Sequence, residues 1–173
     1  MTETIKTTSP EASPDESRPA SSLARSIAAH PFFVGMDPAH LAILTENAMA
    51  AEFRNGDLIF REGDPANRFY LIRSGRVELE SGAQERERML IQTIGAGDVL
   101  GWSWLFPPYY WHFDARAVSP VKAIFFYGTR LREQCAQNPG FGCELMKRTS
   151  EVIIKRLQAT RKYLVDLRQA GRI

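Results

Sequence analysis

Turn residues and short alternating segments characterise the middle of the 173-residue chain. Between residues 53 and 128, turns that contain glycine or aspartate recur about every 7 to 13 residues, which is typical of a small antiparallel β-barrel or sandwich. Val77 and Leu79 alternate with charged neighbours, as expected for a half-buried strand whose successive side chains point to opposite faces. The pattern predicts strands over residues 58–60, 69–73, 76–80, 89–94, 112–118 and 121–127.

Helical patterns precede the strands. A short helix is predicted over residues 23–29. It is expected to end there because the His-Pro pair that follows disfavours helical backbone. Asp37 is placed to cap a second helix with Pro38 in its first position, and this helix is predicted to continue to about residue 50. Its apolar side consists of Leu41, Ile43, Leu44 and Met49.

Two more helices are predicted after the last strand. Thr129 is the expected cap of a short helix that ends at Ala136, and a longer helix runs from about Phe141 to Leu167.

The long helix carries a second regularity. A row of its side chains is spaced alternately by four and three residues, which is the heptad spacing of a coiled-coil seam. The seam consists of Met146, Ser150, Ile153, Leu157, Thr160, Leu164 and Leu167. A single amphipathic helix packed on its own domain shows similar spacing. However, Val152, Ile154 and Val165 lie outside the seam and are expected to face the chain's own barrel, which leaves the seam for a partner helix. We therefore expect a parallel homodimer.

Composition narrows the class of protein. With 44% hydrophobic and 24% charged residues, the chain resembles an ordinary globular domain, whereas residues 1–22, rich in Thr, Ser, Pro and Glu, are predicted to be a disordered tail. It lacks a membrane-spanning apolar run and a secretory signal, so the expected location is the cytoplasm. The net charge of +2 is too small to indicate direct nucleic-acid binding, although residues 145–173 are basic.

Chemical motifs of enzymes are missing from the sequence. Cys135 and Cys143 form no metal-binding pattern and are expected to be reduced thiols. There is no nucleophile elbow, phosphate-binding glycine loop or metal-ligand cluster. The sequence therefore predicts a non-enzymatic protein without a metal or cofactor.

Aromatic residues concentrate in one segment, GWSWLFPPYYWHFDAR, which spans residues 101–116. It holds all three tryptophans and seven of the 18 Phe, Tyr and Trp residues of the chain. Because each aromatic side chain buries roughly 150 to 250 Å², such a cluster either fills the interior of a domain or lines a pocket.

Two motifs identify a family resemblance. The segments FRNGDLIFREGDPANRFYLIRSGRVEL (residues 53–79) and GAGDVLG (residues 95–101) resemble the cyclic-nucleotide-binding domain of the catabolite activator (Crp/Fnr-like) regulators. The resemblance covers about residues 30–169. It implies a mainly β protein: a double-stranded β-helix, or jelly-roll, barrel with N-terminal helices over residues 23–140, then a dimerisation helix over residues 141–173.

The last helix extends this resemblance. KRLQAT, residues 155–160, is similar to the dimer helix of those regulators, in which a hydroxyl can reach the purine ring of the bound nucleotide. Thr160 is the candidate for this contact, and its alternative role is a polar seam position that fixes the register. After this helix there is no room for a helix-turn-helix module, so the resemblance implies a stand-alone domain.

The ligand-binding residues of the family are replaced. In these regulators a phosphate-binding cassette opens with Gly-Glu, the Glu binds the ribose, and an Arg about nine residues later neutralises the cyclic phosphate. Aligning Gly101 with the cassette glycine places Trp102 at the glutamate and Trp111 at the arginine. A buried phosphate without that Arg loses about 3 to 5 kcal/mol. The alignment therefore predicts that cyclic AMP and cyclic GMP do not bind usefully.

The sequence predicts a regulatory or sensor module, in which two roles remain open for residues 101–116, here called the aromatic cassette. Its rings either fill the former nucleotide cavity, leaving a ligand-free dimerisation or docking module, or line a pocket for a flat or apolar small molecule. The candidate site residues are Gly101, Trp102, Ser103, Trp104, Trp111, His112 and Asp114. A third alternative is a DNA-associated transcriptional regulator that acts through a partner.

Overall fold

The computed structural model describes residues 19–81, 89–169 and 171. Most of the predicted N-terminal tail, residues 1–18, lies outside the described residues. The helices are α1 (Pro19–Ala28), α2 (Pro38–Glu46), α3 (Gly128–Gln137) and α4 (Pro139–Gln169). The strands are β1 (Ala48–Phe53), β2 (Leu58–Phe60), β3 (Arg68–Ser74), β4 (Arg76–Ser81), β5 (Met89–Gly95), β6 (Val99–Leu100), β7 (Asp114–Ala117) and β8 (Val121–Tyr127).

Two antiparallel sheets form the body of the molecule. One has the strand order β1-β8-β3-β6 and the other β2-β7-β4-β5. The helices flank the first sheet, where they pack on the outward-facing side chains of β3 and β8. This arrangement confirms the predicted jelly-roll fold with flanking helices and a long C-terminal helix.

Each strand of the first sheet contributes side chains to two hydrophobic cores. One lies between the two sheets, and the other, the helix-side core, lies between the first sheet and the helices. In β3, Tyr70 and Ile72 lie between the two sheets, whereas Leu71 packs under the helices. In β8, Phe125 faces the second sheet and Phe126 faces the helices. Because successive side chains of a strand point to opposite faces, a run buried on both sides reads as continuously apolar. Such a run is typical of a central layer.

The helix boundaries near the N-terminus differ from the prediction. Helix α1 begins at Pro19, so residues 19–22, expected in the tail, are helical. Helix α2 is capped by Asp37 as predicted, with its carboxylate accepting from the Ala39 amide at 2.7 Å, but it ends at Glu46.

The segment after α2 was assigned wrongly. Ala48 pairs with Phe126, and the pairing continues to Phe53, so this segment is an edge strand rather than the end of a helix. Met49, predicted on the apolar side of that helix, is 45% exposed. Hydrogen bonding to β8 satisfies the backbone here, and this long-range pairing overrides the local helical pattern.

The start of α3 depends on a close backbone contact. Its N-cap position is Tyr127, so Thr129 lies inside the helix and is not the cap that was predicted. The Gly128 amide donates to the Asn67 carbonyl at 2.8 Å. A Cβ at Gly128 would lie 2.9 Å from the Trp104 Cβ, so glycine allows the chain to turn into α3 against Trp104.

Helix α4 leaves most of its seam exposed in the single chain. Met146, Leu157 and Leu164 are 50%, 67% and 50% exposed, and Thr160 is also exposed. The seam residues Ser150, Ile153 and Leu167 are half-buried.

The other apolar face of α4 is narrower than predicted. Val152 packs against the helix-side core. Ile154 and Val165 were expected to do the same, but they are 52% and 46% exposed. The predicted inner face is therefore corrected to the first half of the helix, where the barrel lies beneath it.

Candidate ligand-binding site

The backbone of the cassette turns sharply at Gly101, which follows β6. Gly101 has a φ of 87° and precedes a 3-10 helix over Trp102–Leu105. A Cβ at this position would lie 2.9 Å from the ring of Trp111 and 3.0 Å from the Arg68 carbonyl oxygen. Both the left-handed backbone and the close approach of Trp111 therefore favour glycine here.

Trp111 fills the space between the sheets. Its side chain is 4% exposed and its ring stacks on Phe60, with centroids 3.9 Å apart and planes inclined by 13°. Its backbone is tied to the loop after β2, since its amide donates to the Asp64 carbonyl and its carbonyl accepts from the Gly63 amide, both at 2.9 Å. The position aligned with the phosphate-binding Arg thus holds a ring of the core.

Trp102 packs against the same core from the edge. Its ring is nearly parallel to that of His112, with centroids 6.0 Å apart, and meets Phe106 edge-on. The indole Nε1 is buried and has no acceptor within the part of the chain that the structure describes. A buried N–H of this kind needs an acceptor, so Trp102 has an unmet hydrogen bond. The Nε1 of Trp104 is also buried without an acceptor among the described residues.

Trp104 lies on the opposite side of the first sheet. It is fully buried in the helix-side core, 5.9 Å from the ring of Phe69. Its carbonyl accepts from Arg132 Nη1 at 2.7 Å. Trp104 is therefore not beside the other two tryptophans, contrary to the expectation that all three share one cavity, and it anchors α3 instead.

The three predicted polar groups of the cassette are engaged within the chain. Ser103 is fully buried, and its Oγ lies 3.1 Å from Nδ1 of the exposed His112. The Asp114 carboxylate accepts from the Glu62 amide at 2.7 Å. These bonds hold the cassette loop in place, so they support a positioning role for these residues.

Two arginines lie near the cassette. The Arg68 guanidinium lies over the rings of Phe125 and Tyr127, 4.9 and 5.8 Å from their centroids. Arg116 donates to the Gly56 carbonyl at 3.0 Å and its Nε lies 3.6 Å from a Glu80 carboxylate oxygen. Arg116 is thus held by Gly56 and Glu80, whereas Arg68 lies over aromatic rings and its buried Nε has no acceptor among the described residues.

Helix α4 is attached to the N-terminal helices by a polar network. Glu144 bonds His40 Nδ1 at 2.6 Å and Arg148 at 2.8 Å, and Arg148 donates to the Phe32 carbonyl at 2.7 Å. Burial raises the pKa of Glu144, but the His40 and Arg148 hydrogen bonds outweigh that effect and lower it. The network fixes the start of α4 over the helix-side core.

Two pockets of the described residues lie away from the cassette. Both lie along α4, and no residue of the aromatic segment lines either of them. Arg156, on the wall of the first, is half-buried with its Nη1 atom closed to solvent, and the sequence pattern does not distinguish it. A basic residue in a Lys-Arg pair on a helix usually faces solvent, and the pair itself carries no signal that one member is buried.

Neither a metal-binding cluster nor a membrane-spanning helix occurs in the described part of the chain. No group of three His, Cys, Asp or Glu side chains is placed to hold a metal ion among residues 19–81, 89–169 and 171. In the same ranges, no helix has the length and apolar character needed to cross a membrane.

Comparison with known proteins places the chain in a family. Residues 50–138 match the cyclic nucleotide-binding domain. A CRP-like cAMP-activated global transcriptional regulator of Mycobacterium tuberculosis is 30% identical over 135 residues, which are 78% of this chain and 58% of the relative. This chain therefore spans less than two thirds of that relative's length.

Solved structures show the same fold. A putative cyclic nucleotide-binding protein from Geobacter metallireducens has a TM-score of 0.69 and 26% identity, covering 82% of this chain and 99% of its own. A regulatory subunit of a cAMP-independent protein kinase A from Trypanosoma cruzi, bound to guanosine, has a TM-score of 0.65 and 20% identity, covering 88% and 51%. The chain belongs to the cyclic nucleotide-binding domain family.

Proposed function

We propose that this chain is a non-enzymatic regulatory module of the CRP/FNR type whose nucleotide site does not accept cyclic AMP or cyclic GMP. The observation that carries the proposal is the stacking of Trp111 on Phe60 at 3.9 Å, at the position aligned with the phosphate-binding Arg. The ring occupies core volume, and it offers no positive charge to a phosphate.

The energetic cost of admitting a cyclic nucleotide has two parts. Displacing a buried tryptophan from its packing costs on the order of 3 to 5 kcal/mol, by analogy with large-to-small core substitutions. Burying a phosphate without the family's phosphate-binding arginine adds a further penalty of several kcal/mol. At about 1.4 kcal/mol per tenfold in affinity, the first part alone weakens binding at least 100-fold.

The comparisons are compatible with a different ligand. The M. tuberculosis relative is described as cAMP-activated, whereas the T. cruzi protein is described as cAMP-independent and bound to guanosine. In this chain the unmet N–H of Trp102 supports a flat ligand with one hydrogen-bond acceptor and no phosphate.

We further propose that the module is a parallel homodimer through α4. The exposed seam residues Met146, Leu157 and Leu164 support this proposal, since a row of apolar side chains at heptad spacing is stabilised by a second helix. The exposed Thr160 lies in the same row.

Isothermal titration with cyclic AMP, cyclic GMP and guanosine tests the ligand proposal, with the M. tuberculosis relative as the positive control for cyclic AMP. We expect neither cyclic nucleotide to saturate this protein below about 1 mM, which corresponds to a binding free energy of about −4 kcal/mol. A low-micromolar dissociation constant for either one would overturn the proposal. Binding of guanosine alone supports a phosphate-free site, and its absence supports a ligand-free module.

A further inference from the structure

A pocket of about 260 Å³ lies between α4, the 3-10 turn over Pro31–Phe33 and the connection from β5 to β6. We propose that this pocket binds a small organic monocarboxylate, at a site separate from the aromatic cassette. The proposal does not depend on what the cassette binds, because no residue of 101–116 lines the pocket.

Arg156 supplies the charge that the ligand recognises. Its Nη2 donates to the Val99 carbonyl, which fixes the guanidinium against β6. Its Nη1 is also buried, and it has no acceptor within residues 19–81, 89–169 and 171. A buried donor without an acceptor is costly even on a half-buried side chain, and a carboxylate is a strong acceptor for a guanidinium.

The other cations on the wall are used differently. Arg148 is committed to Glu144 and to the Phe32 carbonyl. Lys155 is exposed at the rim, where its ammonium can approach an anion from the solvent side. Arg156 and Lys155 therefore define the end of the pocket at which a negative group would lie.

Acidic side chains at the same pocket limit the charge of the ligand. Asp98 and Glu151 both line it, and Asp98 is partly engaged because its Oδ2 accepts from the Gly95 amide at 2.8 Å. Burial lowers the pKa of Arg156, and the nearby Asp98 carboxylate opposes that shift. With Arg148 paired to Glu144, the remaining two cations and two carboxylates of the pocket nearly cancel. The cost of desolvating an ion rises with the square of its charge, so such a site favours a monocarboxylate over the dianion of phosphate.

The remaining wall is apolar. Pro31, Phe32 and Val152 line it, and Phe32 is 8% exposed. The volume is below the roughly 300 to 1,000 Å³ of pockets that hold drug-sized ligands. The combination fits a carboxylate attached to a single ring or a short hydrocarbon chain.

Benzoate is the probe for this site, and benzamide is its uncharged counterpart of the same shape. We expect benzoate at pH 7 to raise the melting temperature with a saturable dose dependence, while benzamide and inorganic phosphate do not. Equal effects of benzoate and benzamide would show that the charge is not recognised. A larger effect of phosphate would also contradict the proposal.

Three variants locate the binding. Arg156→Gln should weaken benzoate binding at least about tenfold, as expected when a charged hydrogen bond is lost. Arg161→Gln removes the same charge from an exposed position on α4 and should leave the affinity unchanged; an equal loss would indicate non-specific attraction.

Glu151→Gln provides a test that does not depend on the folding of the Arg156 variant. Because it removes a repulsive carboxylate from the rim, it should tighten benzoate binding by about two- to fivefold, the scale of an exposed charge pair. Unchanged or weaker binding would overturn the placement of the carboxylate in this pocket.

Discussion

The interior beside the cassette and the outer face of α4 differ in how far their side chains are packed within the chain. In the interior, Trp111 is 4% exposed, stacked on Phe60 and bonded through its backbone to the loop after β2. On α4, Leu157 is 67% exposed, and Arg156 below it keeps a buried donor without an acceptor among the described residues. The family's customary site is largely filled with rings and keeps one unmet donor, Trp102 Nε1, whereas the exposed apolar row lies on the helix.

This difference indicates where partners act. A filled interior stabilises the domain but offers little differential binding energy to a ligand, because the ligand must first displace packed rings. Exposed apolar rows and buried unpaired donors are stabilised only when something binds them. We therefore expect changes on α4 to alter assembly and binding, and changes at the cassette to alter stability.

The largest expected effect is on assembly. Leu157→Glu removes a seam leucine from both helices of the proposed dimer, and burying one leucine contributes about 1.5 to 3 kcal/mol. The dimer should therefore weaken at least about 100-fold, as measured by sedimentation equilibrium. Gln158→Glu, at the exposed neighbouring position, is the matched control and should stay dimeric. A monomeric wild type, or equal weakening by both variants, would contradict the α4 dimer.

The next effect concerns the packed interior. Trp111→Ala should lower the free energy of unfolding by about 3 to 5 kcal/mol, since it leaves a cavity beside Phe60. Tyr110→Ala, at the adjacent residue that is 49% exposed, should change it by less than about 0.5 kcal/mol. Urea unfolding measures both. Similar losses for the two variants would show that Trp111 does not fill the core as the structure indicates.

The smallest effect lies at the boundary between the two regions, at His30. Burial lowers the pKa of this side chain below its usual 6.5, although Asp98 and the Ile72 backbone oppose the shift. The neutral form is favoured in the folded state, so stability is complete above pH 6.5 and falls as the pH drops through 6.5 towards the folded-state pKa. The loss at pH 5.5 is at most about 1.4 kcal/mol.

His30→Asn tests this assignment. The asparagine oxygen can replace Nδ1 as acceptor of the Phe32 amide, but it does not titrate. Melting temperatures measured from pH 7 to pH 5 should fall less in the variant than in the wild type. Glu144 does not interfere in this range, because its lowered pKa places its own loss of stability below pH 4.5. Parallel pH profiles would contradict the assignment.

Local patterns predicted much of the fold. The strand over Val121–Tyr127 was predicted with its exact bounds, and the Asp37 cap of α2 is formed as expected. Alternation in β4 and the recurring turns indicated a small antiparallel β-barrel or sandwich, and the structure has two antiparallel sheets. These features are recognisable because they depend on the residue's own backbone and its near neighbours.

Long-range contacts account for the errors. Ala48–Phe53 became a strand because β8 supplied its hydrogen-bond partners. Trp104 was grouped with Trp102 and Trp111, but the 3-10 turn after Gly101 directs it to the helix-side core. Neither outcome can be read from spacing, since both depend on which distant surface a side chain meets.

By itself, the sequence determined a small antiparallel β fold and the long last helix, because turn residues and periodicity are local properties. Its motifs, through their resemblance to the Crp/Fnr-like regulators, implied the jelly-roll class and the aromatic replacement of the cassette. The tertiary structure decided which of those aromatics close the interior and that Arg156 has a buried, unpaired donor beside a pocket. Burial and unmet hydrogen bonds are properties of surfaces brought together from distant parts of the chain, so they appear only once the chain is folded.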